Sequence, residues 1–202
     1  MIHAKSASGP LDDVEWPQKL TARVVTPGPA PRLHGYDVEG DLARHYSFAE
    51  TLLLSLTGRL PSTEEARAFD VAMQFAAPAP AQDAPTHAAI LARMCVASTS
   101  QILGAAAIAL GEQARVLVAD HAAWLEMLGS RIVEVPLVYR AASDADRESV
   151  DRLRRALLGT IHVPALWHSV GRAPAVLAVL YACGLTTAER IECALVTARL
   201  PL

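Results

Sequence analysis

His34-Gly-Tyr-Asp-Val-Glu-Gly-Asp-Leu42, followed by Ser47-Phe-Ala-Glu-Thr-Leu-Leu-Leu-Ser-Leu-Thr-Gly-Arg-Leu-Pro61, is the stretch that decides the fold. Ser47 stands three residues before Glu50. At that spacing the serine oxygen accepts the N–H of the third helical residue, while the glutamate carboxylate accepts the serine N–H. Leu52, Leu53, Leu54 and Leu56 then supply an apolar face, and Gly58 offers the left-handed residue that ends a helix. Directly after Pro61, Ser62-Thr-Glu-Glu65 repeats the signal. Ala66, Phe69, Met73 and Phe75 follow close to helical spacing. Two capped helices in succession predict an all-α protein.

Working outward, Pro78, Pro80 and Pro85 make Ala77 to Pro85 a loop. Helices are predicted at Thr86 to Ala97 and Thr99 to Leu110. The second is built from Gly104, Ala105, Ala106, Ala107 and Ala109, small side chains that allow close approach, so it is expected to be deeply buried. A further helix is expected over residues 112–128. Ser143-Asp-Ala-Asp146 heads a charged, solvated helix to Leu158, with Glu148–Arg152 and Asp151–Arg155 pairs one turn apart. Gly159 stops it. Thr186-Thr-Ala-Glu189 heads the last helix, which runs to Arg199. Before Tyr36 the prolines Pro10, Pro17, Pro27, Pro29 and Pro31 exclude long helices. Residues 1–35 therefore read as an irregular N-terminal arm with a short strand at Leu20 to Val25, and 36–202 as the helical domain.

Composition narrows the function. The chain of 202 residues is 52% hydrophobic and 19% charged, with a net charge of −3. There are only two lysines, Lys5 and Lys19, so the basic footprint of a nucleic-acid binder is missing. Mean hydropathy is +0.25, high enough to predict either extensive buried helix or a surface that pairs with another subunit. The N-terminus shows no apolar run after a basic start, and the most apolar segment, Ile102 to Leu110, is too short to span a bilayer. With no membrane segment and with Cys95, Cys183 and Cys193 read as small buried thiols in no CxxC pair, a reduced, cytoplasmic protein is expected.

The His34 to Pro61 stretch resembles the citrate synthase family, in which an Arg-Gly-Tyr-Asp turn leads to a Ser-Phe-x-Glu helix that closes on Gly-x-Leu-Pro. This chain has His34 in place of the arginine. Ala97-Ser-Thr-Ser-Gln-Ile-Leu-Gly-Ala-Ala-Ala-Ile-Ala-Leu-Gly111 resembles the family's small-residue helix, and Pro174 to Pro201 resembles its end. The resemblance implies an almost wholly helical fold, a large domain with a smaller mobile one, and pairing through large-domain helices. At about half the family's usual length, the chain is expected to be a shortened large-domain bundle with the small domain largely missing. The expected partner is a second copy or a full-length family member. No cofactor is expected, and a CoA thioester is the candidate ligand.

The departures bear on chemistry. The family's Gly-Pro-x-His-Gly-Gly-Ala turn is absent after Gly111; His121 is the candidate for a displaced counterpart, its spacing about nine residues off. The family's second histidine motif has no match. Its catalytic aspartate falls near Ala173, within Gly171-Arg-Ala-Pro-Ala175, and no acid occurs between Ser169 and Thr186. Enolising a thioester needs a base at the α-carbon and a donor for the developing oxyanion.

Three histidines remain as candidate catalytic residues, His121, His162 and His168. The last two flank Trp167, and both can equally be satisfied by backbone groups at a helix end. Arg32, His34 and Arg59 are the candidate anion-binding residues, in a turn whose role in the family is mainly structural. No metal-ligand spacing is present. The expected function is that of a non-catalytic relative that binds a partner subunit or an acyl-CoA-type ligand. The alternatives are an active enzyme making or breaking carbon–carbon bonds on CoA thioesters, of citrate synthase or citryl-CoA lyase type, and a regulatory subunit with no small-molecule ligand.

Overall fold

The computed structural model describes residues 25–26, 29–130 and 134–200. Helices dominate. After a small antiparallel sheet of β1 (Val25–Thr26), β2 (Arg32–Leu33) and β3 (Tyr36–Asp37), a π-helical turn at Val38–Leu42 leads into α1 (Ala43–His45). Then come α2 (Phe48–Thr57), α3 (Thr63–Ala76), α4 (Ala84–Met94), α5 (Thr99–Asp120), α6 (Ala122–Leu128), α7 (Asp144–Ala156), α8 (Arg172–Ala182) and α9 (Ala188–Arg199).

The sequence locates most of these because their signals are local. Both capping boxes form: Ser47 with Glu50 at the head of α2, and Ser62 with Glu65 at the head of α3. Gly58 closes α2 in the left-handed conformation. Three expectations about the elements are corrected. The described end of the N-terminal arm is not irregular, because β2 and β3 are joined through His34 and Gly35, whose φ of 48° and 91° give the left-handed pair that a tight hairpin turn requires. The expected strand lies mostly outside the described residues; β1 begins only at Val25. Second, α5 passes through Gly111 unbroken and ends at Asp120, since one interior glycine costs only about 1 kcal/mol among strong helix formers.

The third correction is the largest. The small-residue helix is not buried: from Thr99 to Ala109 no residue is, and Ile108 is 78% exposed. The core sits elsewhere. It is built on α8, whose Pro174 to Leu180 are all buried, with α3, α6, α7 and α9 around it. Trp124 of α6, fully buried, donates its indole N–H to Pro174 O at 2.9 Å and lies against Tyr139. By length and composition α5 is the one described helix that could cross a membrane, yet Leu110, Ala114 and Val118 in its second half belong to the buried set.

Among the charged pairs of α7, Glu148–Arg152 is present at 3.7 Å, whereas Asp151 pairs with Arg154 at 2.5 Å rather than with Arg155. The helix is also amphipathic, with Val150 and Leu153 buried. Of the thiols only Cys183 is buried; Cys95 and Cys193 are exposed.

Candidate functional site

A cleft of about 570 Å³ opens between the C-terminal end of α3, the middle of α5, the start of α8 and the end of α9. That volume lies within the range of small-molecule sites. Leu117, Val176, Leu177 and Leu195 give it an apolar wall, while Arg140, Arg172, Arg199, Asp83 and Asp146 supply charge.

Long-range hydrogen bonds set these polar groups. α3 ends with carbonyls that have no helical partner. Arg172 Nη2 donates to Phe75 O at 2.8 Å, and Arg199 Nε donates to Ala76 O at 3.0 Å. Two guanidinium cations thus cap the negative end of one helix from α8 and α9. Arg199 Nη1 donates further to Gln113 Oε1 at 2.6 Å and lies 3.8 Å from Asp83. A guanidinium has five donors, so this capping leaves N–H groups over for a carboxylate or phosphate oxygen.

Asp146 is the carboxylate nearest the start of α8. It sits in the first turn of α7, and its Oδ1 accepts Arg172 N at 2.8 Å while Oδ2 accepts Ala142 N at 3.3 Å. Gly171, at the N-cap of α8, has no side chain to do this itself. A Cβ at Gly171 would come within 3.0 Å of Asp146 Oδ2, so glycine is what lets the carboxylate approach. In the sequence Asp146 reads as one more acid on a solvated helix. The available signal was a cap lacking a side chain at Gly171, which calls for an acceptor from elsewhere.

The residues singled out from sequence lie outside this cleft. None of the described histidines lines it. His121 ends α5, its Nδ1 bonded to Leu117 O at 2.8 Å and its ring 5.6 Å from Tyr139, a residue of the cleft wall. His162 stacks on the exposed Trp167 at 6.4 Å, and the backbone carbonyl of the neighbouring His168 accepts Arg154 Nη2 at 2.9 Å. The anion candidates are each engaged locally. Arg32 Nη1 donates to Gly35 O at 2.8 Å, and His34 Nε2 lies 3.4 Å from Ser55 O. Arg59 makes a two-point pair with Glu65, at 2.9 and 2.6 Å. That guanidinium holds the Glu65 carboxyl below the usual carboxylate range, and Glu65 in turn raises Arg59. Beneath them burial pushes the Cys183 thiol up to about 12. Ala173, where the sequence resemblance puts the catalytic acid, does line the cleft. Among the described residues no group of three or more His, Cys, Asp or Glu could hold a metal.

No family model and no curated protein sequence matches the chain. A solved structure does: the citryl-CoA lyase from Hydrogenobacter thermophilus, with a TM-score of 0.65 over 90% of this chain and 83% of that one, at 15% sequence identity. The fold is citrate synthase-like. The identity is too low for the likeness to carry more than the fold. With so much of each chain covered, the two are of similar length, so the comparison gives no support to the expected loss of a domain.

Proposed function

We propose that this citrate synthase-like chain binds an anionic, acyl-CoA-type ligand in the arginine-lined cleft and does not carry the family's carbon–carbon chemistry to completion. One observation carries the reading. Asp146, the carboxylate bonded to the start of α8 among the described residues, has both oxygens engaged by backbone amides, and the neighbouring position that faces the cleft is Ala173. Neither oxygen can turn towards a ligand in the cleft without giving up one of these bonds. The cleft therefore offers cations and an apolar wall for binding, and its two carboxylates among the described residues are already engaged, Asp146 by backbone amides and Asp83 by Arg199 at 3.8 Å. The same reading has the chain act with a second subunit, either a copy of itself or a full-length relative, in the cytoplasm.

Asp146 also supports a second reading, an active lyase or synthase with rewired residues. It reaches from α7 to the neighbourhood where the sequence shows no acid. Release from Ala142 N and Arg172 N on ligand binding would free it to take a proton, with His121 close behind Tyr139.

Titration calorimetry of the purified protein with CoA, acetyl-CoA and citrate tests the first reading. Saturable heat with a CoA species is expected, weakened about tenfold or more in Arg172→Ala, the loss of roughly one charged hydrogen bond. His162→Ala, outside the cleft, should bind as the parent does. Absence of heat with all three ligands would leave the regulatory subunit without a small-molecule ligand as the better account.

A further inference from the structure

The cleft has a floor and a rim of different character. Leu110, Ala114, Val176 and Leu195 are buried and yet line it, so they form its floor. Arg172 is exposed, and Arg140 and Arg199 are half-buried, so the guanidinium groups stand nearer the mouth. Along α5, Leu110, Ala114 and Leu117 follow at steps of four and three residues and share one face of the helix. Between the two leucines Ala114 contributes only a methyl group, and a longer side chain there would take up the space in front of it.

Charge counts against a ligand with several carboxylates. Arg140, Arg172 and Arg199 share the cleft with Asp83 and Asp146, which leaves at most a single positive charge unanswered. Arg140 is moreover paired with Glu134 at 2.8 Å. A tricarboxylate would bring three negative charges to that balance. Its oxygens, pressed on to leucine and valine, would also lose water without gaining a partner. A hydrocarbon gains from the same burial.

We propose that the floor of the cleft seats a saturated acyl chain much longer than acetyl, with the oxygen-bearing end of the ligand on Arg172 and Arg199 at the rim. The stripe from Leu110 to Leu117 is about 10 Å long at a helical rise of about 1.5 Å per residue, which matches an extended chain of roughly six to eight carbons. Two sources share this chemistry, a CoA thioester and a free medium-chain carboxylate. The proposal rests on the cleft being the binding site, as in the functional reading, and names the part of the ligand that the cleft takes. Ala114 is then the residue that sets chain length.

Titration calorimetry of the full chain with acetyl-CoA, hexanoyl-CoA, acetate and hexanoate tests it. Each added methylene should tighten binding about two- to fourfold, so hexanoyl-CoA should bind at least about tenfold more tightly than acetyl-CoA. Its heat-capacity change should also be the more negative, the mark of apolar burial. Ala114→Leu, which fills the floor, should bring the ratio of the two affinities down to about threefold or less, with an unchanged helical circular-dichroism signal. Leu117→Ala, at a half-buried position, stands in if that variant does not fold, and should lower the ratio about threefold or more by removing part of the wall. Leu158→Ser, exposed and outside the cleft, should keep the parent's ratio. Hexanoate binding without acetate binding, and without heat from either thioester, would support the chain-seating floor and remove CoA from the functional reading. Equal affinity for acetyl-CoA and hexanoyl-CoA overturns the inference and leaves that reading standing. A preference for hexanoyl-CoA that neither floor variant lowers overturns it too, and absence of heat with all four ligands overturns both.

Discussion

Replacing Asp146 by alanine tests how the start of α8 is held. The bond from Arg172 N to Asp146 Oδ1 is 2.8 Å long, and Gly171 gives α8 no cap of its own. Hydrogen bonds to a charged group contribute about 1.5–3 kcal/mol, and an acid in the first turn of α7 adds about 0.3–1 kcal/mol through the helix dipole. Asp146 is only half-buried and its second bond, to Ala142 N, is long at 3.3 Å, so the lower part of those ranges applies. The expected loss for Asp146→Ala is about 2 kcal/mol, read as a fall in Tm of roughly 4–8 °C for a chain of this size. Asp146→Asn retains one acceptor oxygen and should lose about 1 kcal/mol or less. Urea unfolding followed by circular dichroism gives both numbers. If Asp146→Ala stayed within about 0.5 kcal/mol of the parent, the range of an ordinary surface change, the carboxylate would not be the cap of α8. Its oxygens would then not be committed to the amides of Ala142 and Arg172.

Two further outcomes follow from the ionisable groups. In native protein Cys95 and Cys193 should react with a thiol reagent at pH 8 while Cys183 reacts only on unfolding, because burial pushes its thiol up to about 12. A raised pKa means that the folded state holds the proton more tightly, so this contribution is complete below the unfolded thiol's value near 8.5 and is lost as pH rises from there towards 12. Cys183→Ala should flatten that alkaline decline, and fast labelling of three thiols in native protein would refute the placement. For Glu65 the sign is opposite. Arg59 and the Ser62 N–H lower its carboxyl, so its contribution is present above about pH 4.3 and fades as pH falls through the folded value. Glu65→Gln should reduce the acid sensitivity of unfolding, and an unchanged acid limb would count against the pairing.

What the sequence shows well is whatever neighbours in the chain decide. The Ser47–Glu50 and Ser62–Glu65 boxes and the left-handed Gly58 need only residues within a turn or two, and each stands where its spacing puts it. The helix from Thr99 fails on burial for a physical reason: small residues permit close packing but do not say whether the neighbour belongs to the same chain. The cleft is illegible for a different reason. Its parts are Arg172 on Phe75, Arg199 on Ala76 and Asp146 on Arg172, contacts that span from 26 to 123 residues and leave no local pattern. Histidines draw attention in a sequence because they titrate near neutral pH. Here they sit on helix ends and aromatic rings beside the cleft or away from it.

The central claim is that the fold persists while the base is lost, and turnover tests it most directly. Purified protein, confirmed helical, would be assayed for condensation of acetyl-CoA with oxaloacetate and for cleavage of citryl-CoA. The account predicts no turnover approaching 1 s⁻¹, the lower end of ordinary enzymes. A rate above that in either direction, abolished by Asp146→Asn or His121→Ala in protein that remains folded, would contradict it and make the chain an enzyme with a relocated base.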